Sequence, residues 1–247
     1  MINPFFSDST NALTSGELHV AQIAHYAQLI SAMESNLGCS CYLFDYQKKT
    51  FAYIPDGSPF LSSYSKAEVI KRGWTHYQSI MDAAAFEEFQ TVNRAAFEFY
   101  QNIALEQRID YTLDCYFKMT TPKGANLLVK HSQTPIVITN IGDIWLSLCT
   151  IRPAVGYKKE AHLLRNTKQA CDYEYNQSSK TFEKKLKPNL NSREVEILQM
   201  LASGFTESHI AELLFISSNT VKYYKKNIVK KLNTDNIKEA ISVYIAS

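Results

Sequence analysis

The stretch SSNTVKYYKKNIVKKL, residues 217–232, decides how this chain is to be understood. At about 100° per residue, Val221, Tyr224, Ile228 and Leu232 fall on one stripe of a helix, an apolar side suited to a core. Lys222, Tyr223, Lys226 and Lys230 fall on the opposite side, with Lys225 and Lys231 on the flanks. Five lysines and no acid lie between Ser217 and Lys231. An ordinary surface helix mixes signs, both for solubility and for pairs at four-residue spacing. A helix of one sign suits a row of phosphates, and the major groove is wide enough to admit one helix. A merely solvated basic face is the competing interpretation.

The flanking residues supply the rest of a compact bundle. Asn191 or Ser192 can cap a first helix with Ile197, Leu198 and Leu201 on one face, and Gly204 stands where a helix end needs a left-handed residue. Thr206 begins a second helix with Ile210, Leu213 and Leu214 turned inward. Ser217 opens the lysine-bearing third. Thr234 or Asp235 opens a fourth, with Ile237, Ala240, Ile241 and Tyr244 at helical spacing. A short helix, a tight turn and a basic helix make a helix-turn-helix, so residues 187–247 are expected to form an all-α four-helix DNA-binding domain.

From Leu190 to Ala240 the sequence resembles the LuxR-type helix-turn-helix of bacterial transcription regulators. The resemblance runs through Arg193, Glu194, Gly204, Ile210, Ala211, Ser217, Thr220, Val221, Lys222, Asn227, Ile228, Lys231, Leu232 and Ala240. It implies base-edge contacts from Lys222, Tyr223 and Lys226, and phosphate contacts from Thr220, Lys225 and Lys230. Asn219 and Asn227 belong to the same implied interface. Double-stranded DNA would be gripped by a homodimer, with dimer contacts from the last helix. Three positions depart from the family: His209 stands where an acid is usual, Tyr224 where histidine is common, and Ile237 where arginine is common. Tyr223 is bulky for a base-reading position, so a base preference does not carry over.

The 247 residues exceed the roughly 100–200 of one domain, which predicts a second domain in front. With 45% hydrophobic and 20% charged residues the chain is neither disordered nor fibrous. The net charge of +2 conceals an asymmetry. Residues 1–151 hold 10 Lys+Arg against 14 Asp+Glu, residues 152–186 hold 8 against 4, and residues 187–247 hold 8 against 6. A basic end on an acidic body points to an anionic partner. The five cysteines lack paired CxxC spacing, so neither a disulfide frame, a metal site nor a cofactor is expected. No run approaches the roughly 18 apolar residues of a membrane span, and the start MINPFFSDST lacks a secretory pattern, which predicts a cytoplasmic protein.

Residues 1–35 are expected to be a helical segment, with Leu18, Ile23, Tyr26, Ala27 and Ile30 near helical spacing. Cys41–Tyr46 and Thr50–Ile54 suit a hairpin. Ser65 to Glu68 has the form of a capping box, and Phe86, Phe89, Val92, Ala96 and Phe99 line one side of a strong helix. Ile109–Met119, Asn126–Thr134 and Ile144–Ile151 complete an α+β domain, an antiparallel sheet with flanking helices. In the first of these strands Tyr111, Leu113, Cys115 and Phe117 alternate with Thr112, Asp114, Tyr116 and Lys118, which predicts one apolar and one mostly wet face. This order, with Gly73, Trp74 and Gly124, resembles a PAS sensor domain over residues 36–151. Residues 152–186, basic and polar, are expected to be a linker, helical from Lys158 to Tyr173.

Neither the acidic pair of a phosphorylation receiver nor the signature of an acyl-homoserine-lactone domain occurs. A PAS-like module holds a small molecule between sheet and helices or simply pairs with another subunit. The residues weighed for sharper roles are His76 as a haem ligand, Cys39 with Cys41 as a redox pair, and Cys115 or Cys149 with His131 as an enzyme's nucleophile and base. Against these stand an ordinary structural histidine, buried strand thiols and the absence of any triad spacing. Tyr111, Phe117, Phe86 and Trp145 are expected to line a core.

Overall fold

The computed structural model describes residues 16–37, 39–154 and 161–246. The chain divides into two compact units at Lys185 and Leu186.

In the front unit, helix α1 (Gly16–Leu37) precedes strands β1 (Ser40–Asp45) and β2 (Thr50–Tyr53). Helices α2 (Lys66–Arg72), α3 (His76–Ile80) and α4 (Ala83–Gln101) follow, then β3 (Tyr111–Thr120), β4 (Asn126–Ile138) and β5 (Ile144–Pro153). The expected α+β order is thus present. Three further strands, β6 (Leu163–Asn166), β7 (Cys171–Asn176) and β8 (Thr181–Leu186), complete one sheet in the order β2-β1-β5-β4-β3-β6-β7-β8.

Local chemistry sets the helix ends. Glu68 N donates to Ser65 Oγ at 3.3 Å and Ser65 N donates to the Glu68 carboxylate at 2.8 Å, the expected capping box at the start of α2. The helix stops at Gly73, whose φ of +56° and close approach to the Lys49 carbonyl leave no room for a Cβ. Asp82 caps α4, accepting from Ala85 N at 2.8 Å.

The core lies between the sheet and α2–α4. Phe86, Phe89, Val92 and Ala96 face Tyr111, Leu113, Cys115 and Phe117 of β3, with Tyr42, Phe44, Phe51 and Phe60 beside them. The rings of Tyr42 and Phe60 stack with centroids 4.5 Å apart. Trp145 is buried too. On the opposite face of the sheet, Ile30 of α1 packs with Cys41 and Leu43.

Two expectations are corrected here. Residues 152–186 are no linker: Arg152 and Pro153 end β5, and β6 pairs with β3 through Tyr111↔Asn166 and Leu113↔Leu164. Where a helix from Lys158 to Tyr173 was expected, residues 158–160 lie outside the described ones and residues 163–173 run strand, turn, strand. The basic residues mask a two-residue alternation, Cys171, Tyr173, Tyr175, that belongs to a strand. Those rings, with Phe182, cover α4: Phe99 lies 4.7 Å from Tyr173 and 6.4 Å from Phe182, centroid to centroid.

The second correction concerns β3, whose polar side is buried at its centre, with only Lys118 exposed. Asp114 is 0% and Tyr116 6% exposed. The Asp114 carboxylate meets Lys130 Nζ at 2.9 Å, accepts from Ser132 Oγ at 2.6 Å and is held by the Arg165 guanidinium of β6. Burial alone would raise its pKa. The hydrogen bond and charge of Arg165, with Lys130, outweigh that and hold the carboxyl below its ordinary value.

Candidate nucleic-acid interface

The second unit holds α5 (Ser192–Ala202), α6 (Glu207–Leu213), α7 (Ser218–Lys231) and α8 (Ile237–Ala246). Each of the first three starts on a side-chain cap. Glu194 N donates to Asn191 Oδ1 and Asn191 N to the Glu194 carboxylate, both at 2.8 Å, a second capping box. Thr206 caps α6 and Ser217 caps α7. After α5, Gly204 takes φ +87°, the left-handed position expected of it. At α8 the cap is Asn236, which accepts from Glu239 N at 3.0 Å, rather than Thr234 or Asp235.

Ile197, Leu198, Ile210, Ala211, Val221, Ile228 and Ala240 form the core, with Tyr224, Leu232, Ile237, Ile241 and Tyr244 packed around it. The apolar stripe expected of α7 is therefore the buried one. Leu213 departs from expectation at 48% exposure. The buried arc of α6 is centred on Ile210, Ala211 and Leu214, which turns Leu213 a sixth of a turn or so off its edge.

The opposite side of α7 presents Asn219, Lys222, Tyr223, Lys226 and Lys230 to solvent, with Tyr223 62% exposed. Thr220 and Asn227 are half-buried at its margins. The Thr220 hydroxyl lies 2.9 Å from Ser217 Oγ, so it also serves the helix cap.

The five lysines sort into two groups. Lys231 Nζ lies 2.7 Å from the carboxylate of Glu194, a residue 1% exposed that also closes the cap of α5. Lys225 pairs with Glu207 in the first turn of α6. The Lys225 hydrogen bond holds the Glu207 carboxyl below its usual range. These two flanking pairs bind the basic helix to its neighbours. Lys222, Lys226 and Lys230 make no salt bridge among the described residues and point outward together.

In the front unit the residues weighed for other chemistry are occupied. His76 is buried, its Nε2 donating to the Phe60 carbonyl at 2.7 Å and its Nδ1 3.2 Å from Ser79 Oγ, so neither nitrogen is left for iron. Cys39 and Cys41 are unbridged, with sulfurs 3.7 Å apart. Cys115 stands opposite His131 in the β3–β4 register and Cys149 opposite Gln133 in β4–β5; all three of Cys115, Cys149 and His131 are 0% exposed. Burial pushes both thiols up and brings His131 down to about 3, leaving them neutral and out of reach of a substrate. His131 Nε2 lies 2.6 Å from Tyr42 Oη, which lies 2.5 Å from Tyr77 Oη. Nearby, Tyr46 donates to Gln133 at 2.9 Å and Gln133 to Asn93 at 3.1 Å beside a cavity of about 10 Å³. Sequence reasoning missed this inward polar layer, because its members come from β1 and the turn after it, α3, α4 and β4, and only tertiary packing brings them together.

A short positioning helix, a tight turn and an outward lysine face on the next helix define a helix-turn-helix DNA-binding domain. Residues 188–244 match the family described as bacterial regulatory proteins, luxR family, so this domain is a LuxR-type one. Over 59 residues the chain is 44% identical to regulatory protein SdiA of Escherichia coli (strain K12), covering 24% of each protein. Over 52 residues it is 42% identical to oxygen regulatory protein NreC of Staphylococcus carnosus, covering 21% of this chain and 24% of that one. The chain thus spans about a quarter of the length of the curated relatives it matches. Among solved structures, the Vibrio cholerae VqmA dimer, described as a LuxR-type receptor, aligns over 89% of this chain and 86% of its own at 19% identity and a TM-score of 0.36. A PAS domain from Colwellia psychrerythraea aligns over 53% and 98% at 12% identity and a TM-score of 0.38. Among the described residues, no helix is long and apolar enough to cross a membrane.

Proposed function

We propose that this chain is a transcriptional regulator that binds double-stranded DNA as a homodimer in the cytoplasm, with its front domain as the sensor. Asn219, Lys222, Tyr223 and Lys226 face the base edges from the major groove. Lys230 and Thr220 take phosphates, Asn227 lies at the margin, and Lys225 joins the phosphate contacts from the flank. The carrying observation is that Lys222, Lys226 and Lys230 stand outward on α7 while Val221 and Ile228 behind them are fully buried. That arrangement holds the basic face rigid and solvent-facing. The test is selection of binding sequences from a randomised duplex pool by the full chain, repeated with K222A and K226A. Enrichment of a two-half-site motif that both variants lose supports the reading; recovery of unenriched DNA overturns it.

Within this reading the front domain acts by shifting the population of dimers whose two α7 helices match the half-site spacing. The inward polar layer favours a small-molecule signal over a purely protein-borne one, since Gln133 and Asn93 are buried polar groups at the wall of the cavity. At about 10 Å³ that cavity holds about one water, so a larger ligand enters by moving side chains. A metabolite panel scored by thermal shift of the full chain tests this: a binder whose shift is lost in N93A supports it, and a panel without binders favours a protein partner.

A further inference from the structure

Glu207 carries the carboxylate that pairs with Lys225 on the flank of the lysine face, and its position follows from the geometry of α6. It precedes Ile210 by three residues and Ala211 by four, so it lies on the side of α6 that packs against α7. There it holds Lys225, with side chains 30% and 24% exposed, at the rim of the basic surface rather than in the core. Its carboxylate also feels Lys222, a residue of the outward group. The other flanking pair is different in kind, because Glu194 is buried and closes a helix cap, a structural duty. Glu207 caps nothing: the α6 cap is Thr206, which accepts from His209 N.

We propose that Glu207 is a built-in competitor for the DNA backbone, occupying Lys225 in place of a phosphate and so setting how tightly, and with what salt dependence, this domain grips any duplex. This rests on α7 being the DNA-facing helix. In the unbound protein the carboxylate is the anion of Lys225. On approach to DNA that pair must open before Lys225 can reach a phosphate, which weakens binding irrespective of sequence. Such a brake lowers occupancy of random DNA, where phosphates supply nearly all the affinity.

The test is titration of a fluorescein-labelled mixed-sequence duplex with full-length protein over about 50 to 200 mM NaCl, read by anisotropy. E207Q is expected to bind about 3- to 10-fold more tightly at the low-salt end and to steepen the slope of log affinity on log salt by about 0.9, one added phosphate. E207Q/K225A is expected to show no gain over K225A. Should E207Q not fold, E207S takes its place, with thermal melts of each variant as the control. Unchanged or weaker binding by folded E207Q overturns the proposal, as does a gain that survives loss of Lys225. If K222A/K226A also binds like the parent, the groove-facing assignment of α7 has failed; if that variant loses binding while E207Q is neutral, only the role of Glu207 has.

Discussion

Phe99 of α4 and Tyr173 of β7 meet edge to face, ring centroids 4.7 Å apart, so the long helix is packed on one flank by strands that follow the five expected of the front domain. The extra strands belong to the folding unit of that domain. F99A is expected to destabilise it by about 2 kcal/mol, below the usual range for a fully buried Phe because Phe99 is half-exposed. The midpoint of urea unfolding measures this. A fragment ending at residue 154 is expected to unfold at lower urea than one ending at residue 186, and equal midpoints would make the added strands passive.

Asp114 is wholly buried between Lys130 and Arg165. D114N leaves two cations facing a neutral amide, and removal of one member of a buried pair costs about 3 to 5 kcal/mol. A drop in melting temperature confined to the front unit, with the helical unit unaffected, is the expected calorimetric result.

Acid should loosen the front unit early. His131 titrates near 3 in the fold against an ordinary 6.5, so the unfolded chain takes up the proton first. Stability is complete above about pH 6.5 and declines below it, by up to about 1.4 kcal/mol per pH unit for this one group. His76, also pushed down by burial, acts in the same direction. Asp114 and Glu88, both held low, add their loss only as pH falls below the ordinary carboxylate range. Melting temperatures should stay level from about pH 7.5 to 6.5 and then fall toward pH 5 in the parent, less steeply in H131Q; a parent profile flat down to about pH 5 would count against a neutral buried His131.

On DNA, K222A and K226A should each cost about 1 to 3 kcal/mol on a selected site if they touch bases. K230A should weaken specific and random duplexes alike and reduce the salt slope by about 0.9. Equal losses of K222A on both duplexes would move Lys222 to the phosphates.

E194A removes the returning half of the α5 capping box and the partner of Lys231 together. A cap is worth about 1 kcal/mol, and an unsatisfied partner at least as much again, so a loss of about 2 kcal/mol is expected in the helical unit. E194Q, which keeps a cap acceptor, should lose less in the same thermal melt.

The helix-turn-helix was legible in the chain because its signals are local. Caps at Asn191, Thr206 and Ser217, a left-handed Gly204, and a stripe of Val221 and Ile228 opposite lysines all act within a few residues, so periodicity alone separates core from surface. The α+β order of the front was legible for the same reason. What lay beyond the sequence depends on partners far away along it. The strand character of residues 163–186 needed β3 and Phe99 to become visible, and the burial of Asp114 needed Lys130 and Arg165. That the flanking Lys225 and Lys231 are paired needed Glu207 and Glu194 on other helices. A charge looks the same in a sequence whether water or a carboxylate surrounds it, and only the packing of one element on another decides between them.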